Sequence, residues 1–236
     1  MRRHSILAGV AVIVVTMAGV MSTARPAYAD QWLGIDVGYF AAHGESGRAA
    51  GDVVAADRTF LTFQPNDLRG ATVSGEWLVD LNRFIETGFS VGYYSGSAPS
   101  VYTNFVNSDG SEIQQDLRLR IVPITATARF LPLGNSAPIQ PYIGGGVGIY
   151  SWRYSETGDF VDFSDFSIFH GNFAASGTSV GPVILGGVRV PMGPFAIGGE
   201  VRYQKGTGTL PSSGGFAGPK IDLGGINYLA TVQVKF

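Results

Sequence analysis

Apolar and polar residues alternate one by one along much of the chain after residue 30, in blocks separated by turn-forming residues. A period of two is the mark of a strand whose faces meet different environments. Eight such blocks can be drawn. Residues 32–42 (WLGIDVGYFAA) put Leu33, Ile35, Val37 and Tyr39 on one face and Gly34, Asp36 and Gly38 on the other. Residues 70–80 (GATVSGEWLVD) and 84–94 (FIETGFSVGYY) repeat the pattern, with Glu76 and Glu86 on the polar face. Residues 116–130 (DLRLRIVPITATARF) open with Leu117, Leu119 and Ile121 against Arg118 and Arg120. After Val122-Pro123 the apolar parity passes to Ile124, Ala126, Ala128 and Phe130. A one-residue shift at a proline predicts a β-bulge. Residues 141–154, 180–190, 195–205 and 223–236 complete the set, the last with Ala230, Val232, Val234 and Phe236 on one side and Thr231, Gln233 and Lys235 on the other.

The predicted connections alternate in length. Short turns follow the second, fourth and sixth strands. Long loops follow the first, third, fifth and seventh, at about residues 42–69, 95–115, 155–179 and 206–222. Two architectures accept such strands. A secreted sandwich buries its apolar faces, whereas a membrane barrel turns them to lipid and fills its interior with polar side chains and glycine. Three features favour the barrel, beginning with the length alternation itself. Aromatics collect near strand ends (Trp32, Tyr39, Trp77, Phe84, Tyr93, Phe130, Tyr142, Trp152, Phe195, Tyr203, Tyr228 and Phe236), as interfacial girdles do. The polar faces carry both signs of charge: Asp36, Glu76, Glu86 and Glu200 against Arg118, Arg120, Arg129, Arg189, Arg202 and Lys235. In a small barrel those groups must pair, and inward glycines make room for them. The expectation is an all-β fold, an eight-stranded antiparallel up-and-down transmembrane β-barrel with short periplasmic turns and long extracellular loops.

Composition narrows the setting. The chain of 236 residues is 14% charged and has no cysteine, which excludes disulfides, thiolate metal sites and a lipid-modified N-terminal cysteine. Its formal charge of -2, with no basic run in the body of the chain, argues against nucleic acid. Residues 1–29 read as a cleaved signal peptide, with Arg2 and Arg3, an apolar run from Ile6 to Met21, and Ala27-Tyr28-Ala29 before Asp30. Residues 30–236 then form one barrel domain with a formal charge of -5, exported to the outer membrane of a Gram-negative cell.

With the strands placed, the chain resembles a known group. The segments PITATARF (123–130), PYIGGGVGIY (141–150) and GEVRY (199–203), together with the terminal aromatic, are similar to the OmpA/OmpX/OmpW-type eight-stranded outer-membrane proteins. The likeness implies outer-membrane lipids and lipopolysaccharide as surroundings, and insertion by the barrel-assembly machinery. A last strand ending in Phe236 then serves as the assembly signal. The periplasmic peptidoglycan-binding domain of two-domain members is not expected here. For OmpW-like members the resemblance implies a narrow route for small hydrophobic molecules, entering from outside and leaving through the wall.

Chemistry is sparse. No cofactor, metal or catalytic motif stands out. Some barrels of this kind modify lipid A with a His-Ser-acid group, and His43 lies near Glu45 and Ser46. The run Glu156, Asp159, Asp162 and Asp165 offers carboxylates for a divalent cation, or simply a solvated loop. Gly144-Gly145-Gly146 lacks the following helix and lysine of a phosphate loop. Phe160, Phe163, Phe166, Phe169 and Phe173 form an apolar cluster in the third loop, suited to loop packing or to contact with apolar solutes or extracellular ligands. Pro123 and Pro182 each delete a ladder donor where the wall would open. The expected role is structural or surface-interacting, non-enzymatic, around a filled, ion-paired interior.

Overall fold

A computed structural model describes residues 30–236; the leader read at residues 1–29 lies outside the described residues. Strand β1 (Gln31–Ala42) leads into a loop that holds a short helix α1 (Val53–Asp57) and strand β2 (Leu61–Thr62). Then come β3 (Gly70–Asp80), β4 (Ile85–Val106), β5 (Glu112–Phe130), β6 (Gln140–Val161), β7 (Ile168–Met192) and β8 (Phe195–Gln204). A second loop carries β9 (Thr207–Thr209) and β10 (Lys220–Asp222) before β11 (Gly225–Lys235).

Eight strands close a ring in the order β1, β3, β4, β5, β6, β7, β8, β11 and back to β1, each neighbouring pair antiparallel. The seam pairs β1 with β11 from Trp32↔Lys235 to Ala42↔Gly225, and the Phe236 amide donates to Gln31 O at 3.0 Å. Lipid offers no partner for backbone groups, so closure is what lets this sheet cross a membrane. Among the described residues no helix is long and apolar enough to do so. The tightest turn, Gly193-Pro194 between β7 and β8, uses glycine at φ 65°, a conformation that a side chain would strain.

The predicted bulge at Pro123 is absent. Strand β5 keeps one register with β6 from Gln115↔Gly158 to Phe130↔Ile143. On the β4 side Val91↔Ile124 and Tyr94↔Ile121 belong to the same register, with Pro123 between them. Side-chain parity therefore never switches; the environment does. Below Pro123, Thr125, Thr127 and Arg129 point inward and Ile124 and Phe130 outward. Above it, Leu117, Leu119 and Ile121 are buried inside, while Arg118 faces out. A lipid-facing strand wants its apolar set outside and a water-facing strand wants it inside. One straight strand satisfies both by exchanging its polar and apolar positions where it leaves the bilayer.

Two of the expected long loops are largely strand. Residues 95–106 and 112–115 extend β4 and β5, and residues 155–161 and 168–179 extend β6 and β7. Strands β6 and β7 have 22 and 25 residues, where a crossing strand needs about 9–11. Strands β1, β3, β8 and β11 stop lower. The barrel thus continues upward as a half-wall of β4–β7. The other two loops, residues 43–69 and 205–224, fold against its inner face and bury Val53, Val54, Leu61, Leu68, Leu210, Ile221 and Leu223. Strand β2 covers the free edge of β4 (Leu61↔Tyr102), and Ser179 Oγ on the β7 edge donates to Thr207 O at 2.8 Å. Both contacts blunt edges that would otherwise template aggregation.

Candidate functional site: a charged floor beneath a capped apolar chamber

Alternation on β3, β4, β5, β7 and β8 sends Glu76, Glu86, Arg129, Arg189, Glu200 and Arg202 into the lumen, where all are buried. Arg129 from β5 places Nη2 2.6 Å from Glu76 on β3 and 2.9 Å from Glu200 on β8, with Nη1 3.4 Å from Glu86 on β4. Arg189 from β7 reaches Glu86 at 2.9 Å, Gln140 at 2.9 Å and Gln233 at 3.3 Å. Arg202 pairs with Glu200 at 2.6 Å, approaches Glu76 at 3.7 Å and donates to Ser90 at 3.1 Å. Strands β5 and β8, like β4 and β7, stand three places apart in a ring of eight. These bonds therefore bridge opposite walls.

Three guanidiniums meet three glutamates, so the formal charges cancel. Around them Tyr142 donates to Glu200 at 3.1 Å and Gln233 to Glu76 at 2.7 Å. Trp32 and Tyr142 lie under Arg189 and Arg129 at 4.8 and 4.9 Å, a placement that favours a desolvated guanidinium. Gly34 leaves room here: a Cβ on it would stand 3.0 Å from Cγ of both Glu76 and Gln233. Asp36 is the fourth inward carboxylate. It accepts from Ser74 at 2.8 Å and makes no ion pair among the described residues.

Three expected members of this network lie elsewhere. Arg118 and Arg120 are on the outer face, because parity holds through Pro123 where a shift was expected. Lys235 shares the inward parity but sits at the rim, half-exposed and paired with Asp30 at 2.6 Å. Conversely, Trp32, Tyr142 and Trp152, read as girdle residues, are inside. Tyr142 shares its parity with Gly144, Gly146 and Gly148, and that was the available signal. The exposed aromatics near strand ends are Trp77, Phe84, Phe130, Phe195 and Phe236 at the turn end and Tyr39 and Tyr228 at the other.

Above the floor the interior is apolar: Phe40, Tyr94, Leu117, Leu119, Ile121, Tyr150 and Trp152 pack against the two inserted loops. Those loops are latched by a buried polar cluster. Asp52 caps α1 at the Ala55 amide (3.1 Å), pairs with Arg48 (2.5 Å) and accepts from the Asp222 amide (2.6 Å). Asp222 in turn accepts from the Ala49 amide (2.8 Å) and lies 3.0 Å from His43 Nδ1. His43 thus joins Asp222 of the other loop, while Glu45 turns to Arg58. The neighbouring His43, Glu45 and Ser46 do not come together as a group.

A second polar pair lies where α1 meets the upper part of β6, above the lipid-facing band. Tyr154 donates to Asp57 at 3.1 Å, and Glu156 keeps one buried oxygen without a partner. Burial, with the neighbouring Glu156 carboxylate, pushes Asp57 up to about 8, and burial pushes Glu156 up to about 7. The remaining acids of the third loop are dispersed. Asp159 meets His170 at 2.8 Å, while Asp162 and Asp165 accept from the turn amides of Ser164 and Ser167. Among the described residues no three such ligands gather for a metal.

The phenylalanines split into two groups. Phe160, buried in β6, packs edge-on to Phe173 at 4.7 Å and stacks with Phe169 at 5.8 Å. Phe163 and Phe166, in the turn beyond β6, are exposed and touch Phe105 at 5.8 and 5.9 Å. They crown the half-wall rather than line the chamber.

No family model matches the sequence, and no curated protein matches it. Solved structures do. The outer membrane protein OprG from Pseudomonas aeruginosa aligns with a TM-score of 0.53 at 13% identity, over 88% of this chain and 96% of its own. The N-terminal β-barrel domain of Pseudomonas aeruginosa OprF aligns at 0.44 and 11%, covering 90% and 100% of the two chains. Neisserial surface protein A aligns at 0.45 and 14%, covering 89% and 100%. With the closed ring described above, the likeness to OprG shows an eight-stranded outer-membrane β-barrel fold.

Proposed function

We propose that this outer-membrane β-barrel protein holds no steady aqueous pore and acts at the cell surface through its ordered upper half. The observation that carries the reading is Arg129, which takes carboxylates from β3, β4 and β8 at once and so ties the lumen shut. Breaking such a buried pair leaves a bare charge inside the barrel, at a cost of about 3–5 kcal/mol. The lumen therefore stays tied. Planar-bilayer recording is the test. Silence is expected from the purified, heat-modifiable barrel, and a steady open state would overturn the reading. Export through the leader at residues 1–29, and insertion by the assembly machinery reading Phe236, belong to the same proposal. Deletion of Phe236 should lower insertion without altering the loops. No enzymatic role is assigned.

A second reading has its own support. The chamber above the floor is apolar, and β7 loses its partner β8 above Val183↔Gln204, beside Pro182. An apolar solute admitted by movement of the latched loops would meet the charged floor and leave sideways there, as in OmpW-like barrels. Proteoliposome uptake of a small apolar solute by the unmodified protein supports this reading; absence of uptake removes it.

A further inference from the structure

The outer face of the barrel changes character over a single row of residues. On β5 the outward side chains run Phe130, Ala128, Ala126, Ile124 and Val122, then Arg120 and Arg118. On β6 they run Ile143, Gly145, Val147, Ile149 and Ser151, then Arg153 and Ser155. Arg120 and Arg153 are direct cross-strand partners, and Arg118, opposite Ser155, is the next outward residue. Like charges set opposite each other destabilise a sheet. Among the described residues none of the three arginines lies in an ion pair or donates a side-chain hydrogen bond.

The surroundings on the same face are small and mostly hydroxylic. Ser95 and Ser97 lie across from Arg120 and Arg118 on β4, and Ser176 lies across from Arg153 on β7. The nearest acid on this face is Asp116, which stands opposite Pro99 and Thr157; Glu112 lies further up β5, and Asp159 of β6 is taken by His170. Within the row itself three arginines face Asp116 alone, an excess of positive charge along the upper edge of the apolar band, at the height of outer-leaflet headgroups.

We infer that Arg118, Arg120 and Arg153 bind a phosphate of a phosphorylated outer-leaflet glycolipid of the lipopolysaccharide type. Guanidinium forks match phosphate oxygens two at a time. The serines beside them suit sugar hydroxyls, and Val122, Ile124 and Ile149 directly below suit the acyl chains. An anion between Arg120 and Arg153 also removes the repulsion that their register creates. The inference rests on the membrane placement of the barrel and is independent of whether the lumen conducts.

The test uses the folded barrel in detergent micelles doped with lipopolysaccharide, with bound glycolipid counted by native mass spectrometry. The triple variant R118S/R120S/R153S changes only outward side chains, and its folding is checked by heat-modifiable migration. It should bind at least about tenfold more weakly, whereas Asp116→Asn should bind more tightly than the unmodified protein. Enzymatically dephosphorylated lipopolysaccharide should bind the unmodified protein as weakly as the intact lipid binds the triple variant. Equal binding by the triple variant, or equal binding of the dephosphorylated lipid, overturns the proposal. Displacement of the lipid by equimolar inorganic phosphate would assign the patch to a free anion and overturn it as well.

Discussion

The lower and upper halves of this barrel are built from the same strands with opposite chemistry. In the lower half Ile124 and Phe130 of β5 face out and Arg129 faces in; in the upper half Arg118 faces out and Leu117 and Leu119 face in. The difference teaches that strand sidedness is set by geometry and side-chain choice by the medium outside. Where lipid has claimed the apolar residues the interior fills with charge, held by three arginines among three glutamates with Asp36 on Ser74. Where water surrounds the wall, the interior becomes mostly apolar, closed by two loops whose few buried charges are confined to their latch and to the contact of α1 with β6.

The largest effect that would sharpen this contrast is expected at Arg129. Arg129→Met leaves Glu76 and Glu200 buried against a neutral side chain. Urea unfolding in lipid should show a loss of about 3–5 kcal/mol. The double variant Arg129→Met/Glu76→Gln should lose less than the sum of its parts. Next comes one substitution made on both sides of the boundary. Val147→Arg, outward in the apolar band, should cost about 2–4 kcal/mol, and Gln114→Arg, outward above it and opposite Val101, within about 0.5 kcal/mol of nothing. Equal costs at the two positions would break the comparison.

The smallest effect is pH dependence confined to the upper half. Asp57 and Glu156 are held above the usual carboxylate range, at about 8 and about 7, so the docked loop binds protons that the undocked loop releases. Docking is then favoured most below about pH 4, weakens steadily as pH rises, and has lost this contribution once pH passes about 7 to 8. Hydrogen exchange, corrected for its intrinsic pH dependence, should show the amides of α1 losing protection over that range while β3 and β5 keep theirs. Asp57→Asn should flatten the response.

Much of this was legible in the sequence, for a physical reason. Lipid demands apolar residues on one face without exception, so the alternation in β1, β3, β8 and β11 identifies both the strands and the lipid side. The inward acids and Arg129, Arg189 and Arg202 follow from that parity. The reading failed where it assumed one medium for a whole strand. A change of environment at Pro123 looks like a change of register, and that error sent Arg118 and Arg120 to the wrong side. The upper extensions of β6 and β7 were hidden differently: segments such as GNFAASGTS (171–179) alternate weakly and carry glycine and serine, which read as loop. The latch was not legible at all, since Asp52 and Asp222 are 170 residues apart.

The most direct test of the inverted wall is a single-cysteine scan of β5 from residue 117 to residue 130, in a chain with no native cysteine. Each site would carry a spin label, probed with oxygen dissolved in lipid and with a water-soluble paramagnetic nickel complex. The account predicts an unbroken two-residue period of exposure through Pro123, with positions 126 and 124 open to oxygen and 120 and 118 open to nickel. A phase reversal at 123, with 117, 119 and 121 becoming the exposed set, would contradict it.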